Sequence, residues 1–163
     1  MRKANYDKFP STKLTGMLVQ GWDSIISMLK KKMDARKVLA VDLYTGVYEE
    51  EVLDAFSKEF SGKVMNVRDL MKPEKEIQTL TERFMTEDVL FGYVTNLKLE
   101  DYLDADKVAA ARKQISEAKE TIVIIGTGAA VVAPQDAMVV YADMARWEIQ
   151  QRFRRHEVKA LGI

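Results

Sequence analysis

Short continuous apolar runs alternate along this chain with stretches whose apolar residues recur every three or four positions. The runs read as strands buried on both faces, and the stretches read as amphipathic helices. Gln20 to Asp34 is expected to be a helix, with Trp22, Ile25, Ile26, Leu29 and Met33 on one face and Lys30 to Lys32 around its exposed end. Lys37 to Asp42 reads as a buried strand. Glu49 to Phe60 reads as a helix with Val52, Leu53, Phe56 and Phe60 inward, closed by Ser61-Gly62. Lys63 to Val67 is a second short strand. Pro73 opens a helix running through Phe84, with Ile77, Leu80 and Phe84 on its apolar side. Asp104 caps a helix through Ala118. Thr121 to Ile125 is the cleanest strand and ends in Gly126-Thr127-Gly128. Met138 to Tyr141 is another strand, followed at once by a helix from about Asp143 to Glu157. The first fifteen or so residues read as an extended arm. Residues 88–103 give no clear signal, although Val89-Leu90-Phe91 fits a strand.

Alternating strands and helices imply an α/β protein: three α/β/α layers around a mainly parallel sheet. No repeat, low-complexity segment or internal linker interrupts residues 1–163, so one domain is expected. In open α/β sheets, ligands bind beyond the carboxyl ends of the strands. Those ends carry Asp42 to Gly46, Arg68-Asp69, Gly126 to Gly128, and Asp143.

Composition narrows the chemistry. Lys plus Arg equals Asp plus Glu, 25 each, so net charge gives no case for nucleic acid. With no cysteine, disulfides and thiolate metal sites are excluded. The single histidine, His156, leaves little for histidine-based metal sites or catalytic dyads. The N-terminus has no apolar signal-peptide core, and no apolar run approaches membrane-spanning length. A cytoplasmic protein is the default expectation.

The stretch from Val38 to Leu53 has the strand–loop–helix frame of a phosphate-binding loop, with different chemistry. Such a loop needs glycines whose N–H groups wrap phosphate, a Lys to reach it, and a Ser or Thr for magnesium. At that spacing, the motif glycines fall on Leu43 and Tyr48, the Lys on Glu49 and the hydroxyl residue on Glu50; Gly46 alone remains. Three carboxylates, Glu49 to Glu51, occupy the helix start where phosphate would sit. They favour the helix dipole and repel ATP.

Gly126, Thr127 and Gly128 follow a strand, where backbone approaches a ligand closely; the same glycines also serve a tight turn. Asp42 and Asp69 both follow strands and are candidates for a shared crevice, or for turn caps. In the last helix, Arg152, Arg155 and Lys159 share a face. That basic face suits a phosphate, or equally the helix C-terminal dipole.

Two resemblances follow from these residues. Val41-Asp42-Leu43-Tyr44-Thr45-Gly46, Val67-Arg68-Asp69-Leu70, Thr121 to Gly126, and Val139 to Asp143 with Arg152, Arg154 and Arg155 resemble the uridine kinase-like branch of P-loop kinases. That resemblance implies the fold and the crevice. The Glu49 and Glu50 positions deny it the reaction. Asn5-Tyr6-Asp7-Lys8-Phe9-Pro10, Ile125 to Ala130 and Tyr141 to Gln150 resemble the N-terminal region of long bacterial class I mannose-6-phosphate isomerases. That second resemblance implies an N-terminal accessory domain of a longer chain. Its cupin part, absent here, would carry the zinc and the isomerisation of mannose 6-phosphate to fructose 6-phosphate.

The combined expectation is a non-catalytic domain that binds a sugar phosphate or nucleotide, with no cofactor of its own. Gly46 and the Gly126 to Gly128 backbone would approach the ligand, Arg152 and Arg155 would hold its phosphate, and Asp42 or Asp143 would meet its hydroxyls. Its partners would be a phosphorylated small molecule and the cupin domain in cis, with no nucleic acid and no membrane. A structural module that docks or forms a homo-oligomer through the Gln20–Asp34 helix around Trp22 is the second reading. An active nucleoside or sugar kinase is the third.

Overall fold

β1 (Val38–Leu43) is buried at every position, as its unbroken apolar run requires of a strand covered on both faces. The computed structural model describes residues 6, 10–13, 15–88 and 91–162. Most of the expected N-terminal arm, and Val89-Leu90 of the expected strand, lie outside the described residues. Phe91 is in no strand.

Four strands form one parallel sheet in the order β2-β3-β1-β4. They are β1, β2 (Lys63–Asn66), β3 (Ile122–Gly126) and β4 (Met138–Ala142). β1 and β3 pair in register from Val38↔Ile122 to Asp42↔Gly126. On the other side, β1 pairs with β4 from Leu39↔Met138 to Leu43↔Ala142.

The order dictates which helix lies on which face. The connection from β1 to β2 passes β3 in one direction, and the connection from β3 to β4 passes β1 in the other. Right-handed crossovers therefore place the intervening helices on opposite faces. α2 (Glu49–Glu59) accordingly packs with α1 (Trp22–Met33) against Leu39, Val41, Leu43, Val123 and Ile125. α3 (Glu74–Thr81), α5 (Ala105–Glu117) and α6 (Ala129–Val132) pack on the alternate residues, Val38, Ala40, Ile122 and Ile124. The sheet is thus the middle of three layers. Each fully buried Ile or Val in it contributes about 1.5–3 kcal/mol.

The helix faces follow the periodicity. Phe56 sits between Trp22, edge-on at 6.2 Å, and Phe60, stacked at 5.7 Å. Asp104 caps α5 by accepting from the N–H groups of Asp106 and Lys107 at 3.0 Å.

Several elements differ from expectation. α3 ends at Thr81, and Glu82–Phe84 continues as a 3-10 turn. The stretch 88–103 contains a single-turn helix, α4 (Leu99–Tyr102), and Leu103 bridges to Met71. α6 is a one-turn helix that no periodicity announced. The last helix, α7 (Arg146–Arg154), starts later and stops earlier than its charge pattern suggests. It stops because the chain reverses at His156, where φ is 56°.

Candidate functional site

β1 and β3 are neighbours whose following connections leave toward opposite edges of the sheet, and a crevice opens where they part. A cavity of about 690 Å³ lies there. Its walls are the loop after β1, the first turn of α2, Asn66 at the end of β2 and Arg68 just beyond it, Gly126 at the end of β3 and Thr127 just beyond it, and residues 156–162 of the tail.

Asp42 points away from this cavity. It shares strand parity with Val38 and Ala40, so its side chain emerges on the α6 face. One carboxylate oxygen accepts from the N–H of Gly128 at 3.1 Å, the other from Ala130 at 2.9 Å. A buried carboxylate thereby caps α6 from a neighbouring strand, satisfying N–H groups that a helix start leaves open. Asp42, expected to meet ligand hydroxyls, and the Gly128 N–H, expected to face a ligand, are thus engaged with each other. Gly128 adopts φ 90° to open α6. Gly126 is required by close approach: a Cβ there would sit 2.9 Å from Cβ of Val67. Gly126 and Thr127 do line the cavity; Gly128 does not. Asp69 is exposed on a 3-10 turn outside the cavity lining.

Gly46 lines the cavity and is backed by α7. At its φ of 94°, an added Cβ would lie 3.1 Å from Cγ2 of Ile149. Its carbonyl accepts from Arg152 at 2.7 Å. The same guanidinium lies 3.7 Å from the ring centroid of Tyr48 and donates to Glu148 at 3.3 Å. Arg155 donates to both carboxylate oxygens of Glu157, at 2.6 and 2.9 Å, and to Glu148 at 3.0 Å. Tyr48 Oη donates to Glu157 at 2.7 Å.

These contacts set the titrations of the cluster. Hydrogen bonds from Arg155 and then Tyr48 hold the Glu157 carboxyl down at about 2. Donating to that carboxylate raises the Tyr48 phenol. Glu157 and Glu148 keep Arg155 charged well above the ordinary range. Arg152 and Arg155 therefore bind the protein's own carbonyl and carboxylates, and neither lines the cavity. The two arginines expected to clamp phosphate are thus already engaged within the protein. The i,i+4 spacing of Glu148 and Arg152 was the available signal. Asp143 likewise lies outside the cavity lining and accepts from the N–H of Met144 at 2.7 Å.

The polar lining is instead mixed. Glu49, Glu50 and Glu51 form the acidic wall, and Glu51 also accepts from the Trp22 indole at 3.0 Å. Arg68 lines the cavity with its guanidinium 3.8 Å from Glu49, and Lys159 lines it from the tail. Asn66 accepts from the N–H of Arg68 at 2.8 Å, which leaves its amide N–H₂ available. Sequence reasoning placed Arg68 at a strand end and Lys159 on a basic face, but did not bring them together. The tail reaches the cavity because Gly162 packs against Ile77 and Met71, and Leu161 against the core beneath. Among the described residues, no group of three or more His, Cys, Asp or Glu is placed to hold a metal ion. None of the described helices is long and apolar enough to cross a membrane.

In comparison with known proteins, residues 21–163 match the model of a family described as Domain of unknown function (DUF8485). No curated protein and no solved structure matches the chain.

Proposed function

We propose that this chain, which belongs to the DUF8485 family, is a non-catalytic module that holds a hydroxyl-rich small molecule with one anionic group. A sugar monophosphate has that chemistry. The observation that carries the reading is the lining of the strand-end cavity, where Arg68 and Lys159 stand with Glu49, Glu50 and Glu51. Carboxylates accept from sugar hydroxyls, while a guanidinium and an ammonium take the phosphate oxygens. A nucleoside triphosphate, with several negative charges close together, would meet three carboxylates at the helix start. Phosphoryl transfer also lacks its Lys and hydroxyl residue, since Glu49 and Glu50 stand at those positions. The sequence resemblance extends the proposal to the parent protein: an accessory domain of a mannose-6-phosphate isomerase-type chain, with zinc and catalysis in a separate cupin part.

The test is thermal shift and calorimetry with mannose 6-phosphate, fructose 6-phosphate, inorganic phosphate and magnesium ATP. A sugar phosphate at a hundred times its dissociation constant adds about 2.7 kcal/mol of stability. Arg68→Ala and Lys159→Ala are each expected to weaken that binding, and ATP is expected to give no shift. Silence with both sugar phosphates would refute the reading.

A further inference from the structure

β4 is an edge of the sheet. β1 lies along one side of it, and no described strand lies along the other. The carbonyl of Ala142 accepts from the N–H of Tyr44 at 2.9 Å, so it faces β1. Backbone groups alternate sides along a strand. Met138, Val140 and Ala142 therefore pair with β1, while the N–H and C=O groups of Val139 and Tyr141 point outward. Such a row is a template for another strand, and natural edges blunt it with Lys, Pro or a bulge. Met138-Val-Val-Tyr-Ala142 carries neither a charge nor a proline. Its outward residues are also apolar and uncovered. Val139 is 53% exposed and Tyr141 58%, with Tyr44 packed edge-on to Tyr141 at 6.3 Å.

We infer that β4 pairs with β4 of a second copy of this chain, antiparallel about a twofold axis through Val140, so that two four-stranded sheets become one. A twofold axis perpendicular to the strands makes the contact self-complementary. In this register, Val139 faces Tyr141 of the second copy and Tyr141 faces its Val139. These are the residues with outward backbone groups, and they exchange ~4 hydrogen bonds. Each is also a β-branched residue opposite an aromatic one, a favourable cross-strand pair. Centring the axis on Val139 would set Tyr141 against Ala137. Centring it on Tyr141 would set Val139 against Asp143. Both lose that pairing.

Charge at the two ends of β4 fits the same arrangement. Asp136 lies just before the strand and Arg146 just after it, both exposed. In this register Asp136 of each copy lies opposite Met144 of the other, two residues before Arg146 at the start of its α7. Asp143, the other charge at that end, already accepts from Met144 N–H.

The test is the mass of the full chain in solution, by light scattering and sedimentation, across a concentration series, because dimer populations follow mass action. The wild type is expected to reach twice 18.6 kDa. Val139→Lys puts a charge on the edge. Tyr141→Pro removes an N–H that bonds no described residue of the monomer, where an edge strand tolerates proline. Both variants are expected to be monomers with unchanged far-ultraviolet circular dichroism. Asp136→Arg is expected to raise the dissociation constant about two- to fivefold, and Arg146→Asp added to it restores the affinity. A monomeric wild type overturns the proposal. So does a dimer whose mass Val139→Lys leaves unchanged, whatever Tyr141→Pro does to folding.

Discussion

The guanidinium of Arg152 donates to the carbonyl of Gly46 at 2.7 Å, tying the last helix to the loop after the first strand across 106 residues of sequence. The side chain is 16% exposed, and it also stacks on Tyr48. A charged donor to a largely buried carbonyl is worth more than a surface contact. Arg152→Ala is expected to lower stability by about 1–3 kcal/mol. Chemical denaturation measures it directly. A wild-type midpoint in the variant would mean the latch is decorative.

Asp42 predicts a different kind of loss. Its carboxylate closes two N–H groups at the start of α6, from a strand that packs beneath that helix. Asp42→Ala leaves the buried N–H of Gly128 and the half-buried N–H of Ala130 without their acceptor and is expected to cost about 1–3 kcal/mol. Hydrogen exchange localises the effect: the amides of Gly128 and Ala130 should lose protection first. Equal loss across the whole sheet would place the role of Asp42 elsewhere.

Much of the sheet was legible because burial on both faces writes itself as unbroken apolar runs. Val38 to Val41 and Ile122 to Ile125 could be little else. α5 was legible to within a residue because Asp104 is a strong cap and Val108, Ala111 and Ile115 mark its inner face. The site was less legible for a physical reason. Whether an arginine is free depends on which carboxylate stands next to it in space. Glu157 reaches Arg155 only because the backbone turns left-handed at His156. Asp42 reads as a strand-end ligand or a turn cap until strand parity turns its side chain toward α6. A turn as short as α6 has no periodicity to read at all.

The Glu157 cluster gives a pH prediction. The carboxyl titrates at about 2 in the folded protein, against an ordinary value of 4.5. A depressed carboxylate stabilises the fold fully above its unfolded value. That contribution is lost as pH falls from 4.5 toward 2. The stability difference between wild type and Glu157→Gln is therefore expected to be constant at neutral pH and to shrink through that acid window. Denaturation midpoints of both proteins across the window check it. The same variant should bring the raised Tyr48 phenol back toward its ordinary value, read by ultraviolet titration. A difference that ignores pH would mean that Arg155 and Tyr48 do not hold this carboxylate.

The last prediction concerns the carboxylates at the start of α2. Glu49 and Glu50 stand where a phosphate-binding loop would carry Lys and a hydroxyl residue, and both line the cavity. If their charge is what excludes polyphosphate, then Glu49→Lys combined with Glu50→Ser should admit it. The pair of substitutions removes two negative charges and adds a positive one within a few ångströms of the bound anion. That is worth at least about 1.4 kcal/mol at the effective dielectric of a protein surface, or tenfold in affinity. The helix loses the match of those carboxylates to its dipole, at about 0.3–1 kcal/mol each, so a small fall in stability accompanies the gain. Calorimetry with magnesium ATP is the measurement, with wild type as reference. Turnover is not expected to appear, because Leu43 and Tyr48 still occupy the glycine positions that would let backbone wrap the phosphates. An unchanged affinity for ATP would show that the shape of the loop after β1, rather than the charge of Glu49 and Glu50, keeps polyphosphate out.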